Sequence, residues 1–436
     1  MKYNNTRAYA DAQDRADPLY KFREEFLIPK RAGKEIIYLC GNSLGLQPRS
    51  ARKYILEQLD NWENLAVEGW FEGDTPWMYY HKELQQLMAP IVGAKLEEVV
   101  PMNSLTLNLH LMMVSFYKPD GKRSKILMEA GAFPSDQYAV ESQLRFHGLD
   151  PDAHIIEIKP CEGEVTLRTE DIIEKIKEHA DELALILFGG INYYTGQFFD
   201  LDAITKAGHN AGCFVGFDLA HAAGNVPLQL HDWNVDFACW CTYKYMNSSP
   251  GGISGVFIHE KHFDSGLNRF AGWWGYDEKT RFKMGKGFVP QQGAEGWQLS
   301  CSPVLLMAAH QASLLIFREA GGINALRTKS MQLTAYLEFI INELNDHIGY
   351  KQFSIITPTR PEERGCQLSL IARNKGKLIF DRLTEKRIIG DWREPDVIRV
   401  SPVPLYNTYT DVFEFGKQLK LICEELLTNT EHEMYF

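Results

Sequence analysis

The chain has 436 residues, 45% of them hydrophobic, with 57 acidic side chains against 46 basic ones and a formal net charge of −11. That is enough apolar material for a large core and more than one domain, and an acidic chain without a basic run argues against nucleic acid as a partner. The N-terminus lacks the apolar centre of a secretory signal, no apolar run approaches the ~18 residues that span a bilayer, and the eight cysteines are scattered without a Cys-x-x-Cys pair, as in a reduced, cytoplasmic protein without a metal centre.

Residues 1–37 read as a mostly helical lead-in, started at Asp17-Pro18 and stopped by Pro29. A strand-like run, Ile36 to Cys40, leads into a tight loop, Gly41 to Pro48, that carries Ser43. Its glycine spacing is neither that of a P-loop nor that of a dinucleotide fingerprint. Residues 49–69 have helical periodicity through Ile55, Leu59, Trp62 and Leu65, and an aromatic loop from Gly69 to Trp77 follows, with Trp70 in it. Asn103-Ser104-Leu105-Thr106 precedes an amphipathic run to Tyr117. A hydroxyl there either caps the helix or, with the free amides of the first turn, holds a phosphate.

Lys125 to Glu129 reads as a strand, after which Phe133-Pro134-Ser135-Asp136 opens a helix over 135–147. This is either a capping motif or an aromatic placed past a strand end to stack on a flat ring. Strands over 155–158 and 183–188 enclose a helix over 169–181; Gly189-Gly190 and a helix over 200–211 follow. Cys213 to Phe217 is a strand ending on Asp218, with His221 three residues later, and Phe237 to Cys241 is another, ending on Thr242-Tyr243-Lys244. Such alternation predicts an α/β fold with a mostly parallel sheet flanked by helices. Right-handed crossovers then gather the strand-end residues on one rim, where ligands bind in open sheets.

Beyond Lys244, residues 255–259 form a strand leading away from that rim, and a Gly-Trp segment, Phe270 to Gly275, includes Trp273. Gly296 to Pro303 contains Cys301, and a helix from Val304 to Glu319 ends at Gly321-Gly322. That glycine pair marks the expected division: an N-terminal segment over 1–45 packing on the small domain, a large domain over 46–320, and a small α+β domain over 321–436. The last is read as a helix over 323–345, strands near 355 and 367–371, a helix over 376–387, and Ile398 to Pro404. Arg399 lies between apolar neighbours and needs either a structural salt bridge or a bound carboxylate.

An acid and a lysine, each just past a strand end, suit one chemistry. A lysine amine condenses with the aldehyde of pyridoxal phosphate, and a carboxylate keeps the pyridine nitrogen protonated. Lys244 fits the first role and Asp218 the second. Asp218-Leu219-Ala220-His221, Trp240 to Tyr245 and Gly251-Gly252 resemble the kynureninase family, and the resemblance runs from Ser43 to Tyr406. It implies a fold-type-I, aspartate-aminotransferase-like enzyme that hydrolyses L-kynurenine to anthranilate and L-alanine, in tryptophan breakdown or nicotinamide-cofactor synthesis.

The resemblance also implies residue roles. Leu105 and Thr106 hold the cofactor phosphate; Phe133, Pro134, Ser135 and Asp136 surround the ring; Gly189, Asp218, His221, Tyr243 and Lys244 complete the cofactor site. Tyr243 is the proton donor or relay. Ser43, Trp70 and Arg399 face the substrate, with Arg399 on its α-carboxylate. Trp273 and Cys301 reach the partner's active site across a homodimer. Three positions depart from the family pattern: Trp70 stands where many relatives have histidine, Gly189 where some have serine, and Cys301 where many have asparagine. Trp70 and Cys301 are poor partners for a ring hydroxyl, so kynurenine is the expected substrate over 3-hydroxykynurenine. Rival readings are an aminotransferase, a non-catalytic relative, and a cysteine desulfurase; the last is opposed by Tyr243 standing where that family has histidine.

Overall fold

A computed structural model describes residues 3–433; Met1, Lys2 and the last three residues of the expected small domain lie outside it. A seven-stranded sheet fills the larger part. From edge to edge its strands are Val99–Pro101, Gly255–Ile258, Phe237–Trp240, Phe214–Asp218, Leu183–Gly189, Lys125–Glu129 and Ile155–Ile158. Only Gly255–Ile258 runs against the other six. The central strands are buried along nearly their whole length, so they read as continuous apolar runs rather than alternating ones. Two apolar clusters cover the faces of the sheet, one around Phe217, Trp240 and Phe257, the other around Phe116, Leu185 and Phe237.

Two of the helices between strands start on local signals in the sequence. Asp200 accepts the Ala203 N–H at 3.0 Å to open Leu201–Asn210, and Pro134 occupies the first turn of Pro134–Phe146. The parallel strands Lys125–Glu129, Ile155–Ile158, Leu183–Gly189, Phe214–Asp218 and Phe237–Trp240 all end on the same rim of the sheet.

A four-stranded antiparallel sheet, in the order Phe353–Ile355, Leu368–Ala372, Val397–Val400, Asp391–Arg393, packs with the helices Gly322–Ile348 and Tyr409–Glu433 around a third cluster. Ile37–Tyr38 pairs in parallel with Ile388–Ile389, and Cys40 bridges to Ser401. The helix Arg7–Ala16 reaches the same region: Asp14 accepts the Tyr409 and Thr410 N–H groups at 2.7 and 3.1 Å, capping the last helix.

Several elements differ from the sequence reading. Among the described residues the lead-in is α-helical only over Arg7–Ala16, with a 3-10 turn over Tyr20–Glu25 and two-residue strands at Phe26–Leu27, Lys30–Arg31 and Lys34–Glu35. Val99–Pro101 and Tyr80–Val92 were not anticipated: three residues are too few to show alternation, and the helix carries Pro90 in its last turn.

Candidate active site

The site is built from strand ends. Glu129, Gly189 and Asp218 close three adjacent parallel strands, with Asp218 in register with Gly189. The chain turns at once after Asp218, and the Ala220 N–H donates to Oδ1 of Asp218 at 2.7 Å, which fixes that carboxyl. Lys244 stands in a turn four residues past the end of the next strand, where the Asn247 N–H donates to its carbonyl at 3.1 Å. Its Nζ lies 3.0 Å from Nε2 of His221 and 5.8 Å from the centre of the Phe133 ring. The loop carrying Ser43 is tied to this turn by the Gly45 N–H, which donates to the Tyr243 carbonyl at 2.8 Å. A Cβ at Gly45 would sit 2.4 Å from the Lys244 carbonyl oxygen, so only glycine allows the approach.

Two helix N-termini meet beside these groups. Ser104 precedes Leu105–Phe116 without capping it through its side chain, which leaves the first-turn amides available. Thr106 Oγ1 lies 2.7 Å from Ser135 Oγ in the first turn of Pro134–Phe146. Arg399 arrives from the small sheet. It is 1% exposed, donates from Nη1 to the Tyr193 carbonyl at 2.7 Å, and pairs through Nη2 with Asp391. Ser43, Leu105, Thr106, Phe133, Ser135, Asp136, Gly189, Asp218, His221, Tyr243, Lys244 and Arg399 all line one cavity of about 390 Å³.

The electrostatics follow from burial. Glu129, Asp136 and Asp218 are at most 7% exposed, with Lys244 as the adjacent ammonium. Burial, then the neighbouring Asp218 and Glu129, push the Asp136 carboxyl well up, so it keeps its proton and donates toward Asp218. Burial raises Asp218 as well, opposed by that hydrogen bond, by Lys244 and by the Ala220 amide. Glu129 is pushed up to about 7 by burial, against the N–H of Gly189, which sits 3.2 Å from both of its oxygens. Burial, then Lys244, Arg399 and Arg393, drive His221 well below its ordinary value, so its Nε2 accepts from Lys244.

Trp70, expected to face the substrate, lies outside this cavity, as do Trp273 and Cys301, expected to reach a partner's site. Trp70, Trp273 and Cys301 line a separate, apolar pocket of about 760 Å³ with Phe71, Phe270 and Phe282. Trp70 packs edge-on against Trp77 and tilted against Trp274, with ring centres 5.6 and 5.5 Å apart. Pro134 starts its helix without lining the cavity.

Comparison with known proteins decides the family. Residues 326–419 match the kynureninase C-terminal domain and residues 37–355 match aminotransferase class-V. A kynureninase from Flavobacterium psychrophilum is 54% identical over 96% of this chain and 99% of its own; one from Myxococcus xanthus is 53% identical over 96% and 97%. The chain belongs to the kynureninase family.

Solved structures extend the likeness to the fold. A cysteine desulfurase from Thermococcus onnurineus superposes with a TM-score of 0.75 at 16% identity, covering 93% of this chain and 98% of that one. A C-DES variant with glycine covalently linked to its pyridoxal-phosphate cofactor superposes at 0.73, with 16% identity over 88% and 96%. The fold is therefore fold-type-I, and pyridoxal phosphate is the cofactor of this kynureninase family member. The residues present fit it: an amine at Lys244, an acid at Asp218, an aromatic face at Phe133, and paired hydroxyls at two helix N-termini for a phosphate. Oδ1 of Asp136 and Nδ1 of His221 are buried there without a partner among the described residues.

Sequence reasoning overlooked Glu129, Tyr193, Asp391 and Arg393. Glu129 carried a usable signal, since it ends a strand on the same rim. Asp391 and Arg393 carried none, because a three-residue strand with charged ends has no pattern to read.

Proposed function

We propose that this chain hydrolyses the Cβ–Cγ bond of L-kynurenine, with pyridoxal phosphate as cofactor, to give anthranilate and L-alanine. The convergence of the Lys244 amine, the buried Asp218 carboxyl and the Arg399 guanidinium on one cavity carries this reading. Kynurenine plus water balances anthranilate plus alanine, so the reaction needs no further reactant. Bound in this cavity, pyridoxal phosphate supplies the electron sink for negative charge developing at Cα and Cβ.

The chain's own groups do the rest. Arg399 binds the α-carboxylate and orients the amino acid before any bond changes. Lys244 takes the proton from Cα, with neutral His221 holding its nitrogen in place through Nε2. Asp218 keeps a proton on the ring nitrogen, and Asp136 steadies Asp218 by donating to it. Water adds at the γ-carbonyl, and the aryl carboxylate departs as the Cβ–Cγ bond breaks. Burial raises the Tyr243 hydroxyl far above its ordinary value, so it holds its proton until Cβ calls for one.

A second copy of the chain is part of this proposal. Trp273, Phe270, Phe71 and Phe282 are each about half exposed around one pocket, and a cluster of exposed aromatics is a mark of an interaction surface. A homodimer covers it and brings Trp273, Cys301 and Trp70 to the mouth of the partner's cavity. A reducing, cytoplasmic setting suits eight free cysteines, five of them buried. No helix among the described residues is long and apolar enough to cross a membrane.

The test mixes the protein with pyridoxal phosphate and L-kynurenine and follows anthranilate fluorescence. Anthranilate and alanine are expected in equal amounts, and Lys244→Ala is expected to abolish both. A protein that binds the cofactor but yields stable pyridoxamine with a keto acid, and no anthranilate, would be an aminotransferase instead.

A further inference from the structure

The cavity holds a second guanidinium. Arg393 lines it beside Arg399. The antiparallel pairing of Asp391–Arg393 with Val397–Val400 sets Asp391 directly opposite Arg399. Both arginines then converge on a single atom. Nη2 of Arg393 lies 3.1 Å from Oδ2 of Asp391, and Nη2 of Arg399 contacts the same oxygen. Two cations share one anion, which leaves one positive charge at this end of the cavity.

Further observations show that this charge is available to a ligand. The Nε–H groups of Arg393 and Arg399 are both buried and find no acceptor among the described residues. Arg399 is 1% exposed, so an unspent donor there is expensive unless a ligand takes it. Burial lowers the Arg399 guanidinium to about 10, which still leaves it charged at neutral pH. The field of both arginines reaches the cavity, because each helps to hold His221 neutral.

We infer that Asp391 is a specificity-determining residue: by neutralising one of two guanidiniums at the carboxylate end of the cavity, it limits that end to a single carboxylate. Amino acids with one carboxylate and an uncharged side chain, such as an aryl ketone, are accepted. Dicarboxylates are refused, because their second negative charge meets Asp391 instead of an unpaired arginine. The inference rests on the reading of Arg399 as the α-carboxylate receptor.

The experiment measures calorimetric dissociation constants of butyrate and succinate for the cofactor-loaded enzyme. In the wild type, succinate binds no better than butyrate. Asp391→Asn is expected to tighten succinate about tenfold relative to butyrate. Arg393→Gln added to Asp391→Asn removes that gain, and Asp391→Glu keeps the wild-type preference. Succinate and butyrate moving together in a folded Asp391→Asn protein would overturn the inference, leaving Asp391 as a strut for Arg399.

Should Asp391→Asn fail to fold by circular dichroism, Arg393→Gln alone decides. It leaves Asp391 free to cancel Arg399, so butyrate should weaken and KM for kynurenine should rise, each about tenfold, while kcat stays within about twofold. An unchanged KM overturns the inference. Arg399→Lys separates the two readings. If it alters neither KM nor butyrate affinity, the carboxylate-receptor reading falls, whatever the Asp391 variants do.

Discussion

Two buried aspartates sit at opposite ends of the same strand pair and are treated in opposite ways. Asp236, just before Phe237–Trp240, is saturated with donors: the Val215 N–H at 2.7 Å, Nε2 of His209 and His262 at 2.9 and 2.8 Å, and Nζ of Lys261 at 2.9 Å. Burial raises its carboxyl, but the bonds from His209 and His262 and the charge of Lys261 outweigh that and hold it far below the usual range. Asp218, at the other end, is pushed up by burial, against the hydrogen bond from Asp136, the charge of Lys244 and the Ala220 amide, and it shares its space with Asp136 and Glu129. The difference teaches what each acid is for. An acid matched by the protein's own donors binds strands together. Acids crowded against one another are held at a cost in stability, and a cationic ring nitrogen relieves it when the cofactor binds.

The sharpest way to break this contrast is to remove charge at each end. Asp218→Asn should lower kcat for anthranilate release about 1,000-fold, while the apoprotein melts no lower than the wild type. Asp236→Asn should do the reverse: a loss of about 3 kcal/mol in urea unfolding, with pyridoxal-phosphate affinity unchanged. The Asp236 contribution has a definite pH window. Its folded value is depressed, so the stabilisation is complete above the ordinary carboxylate range and is lost as pH falls below ~4. The unfolding free energy of Asp236→Asn should therefore approach that of the wild type in acid.

Glu129 sharpens the comparison with the opposite sign. Its carboxyl keeps its proton up to about 7 in the fold but releases it near 4.5 when unfolded, so wild-type stability falls as pH rises through that interval. Glu129→Gln keeps an oxygen for the Gly189 N–H and cannot ionise. It should stabilise the apoprotein by about 2 kcal/mol at pH 8 and change little at pH 4, as read from thermal melts. The smallest effect concerns the aromatic face. Trp70→His with Cys301→Asn should raise kcat/KM for 3-hydroxykynurenine over kynurenine about tenfold. A wild type already faster on the hydroxylated substrate would remove the basis for that expectation.

Much of this was legible in the sequence, and the reason is local. Strands buried on both faces leave unbroken apolar runs, so Phe214–Asp218 and Phe237–Trp240 announce themselves and their end residues with them. Asp218, Lys244 and Phe133 could be placed on one rim because crossover handedness fixes the rim. What the sequence hid depends on register and packing. Asp391 meets Arg399 through the pairing of a three-residue strand, and three acids become a cluster only when Pro134–Phe146 docks Asp136 beside two strand ends. Trp70, expected to face the substrate, instead lines an apolar pocket with Trp273 and Cys301, an arrangement of distant segments that no local pattern encodes.

One measurement tests the central contrast most directly: the thermal shift of the apoprotein on titration with pyridoxal phosphate, in wild type, Asp218→Asn and Asp236→Asn. A large stabilisation in wild type and Asp236→Asn, and little in Asp218→Asn, is the predicted result. Equal stabilisation of all three would contradict it, because the cofactor would then owe nothing to the acids crowded at the strand ends.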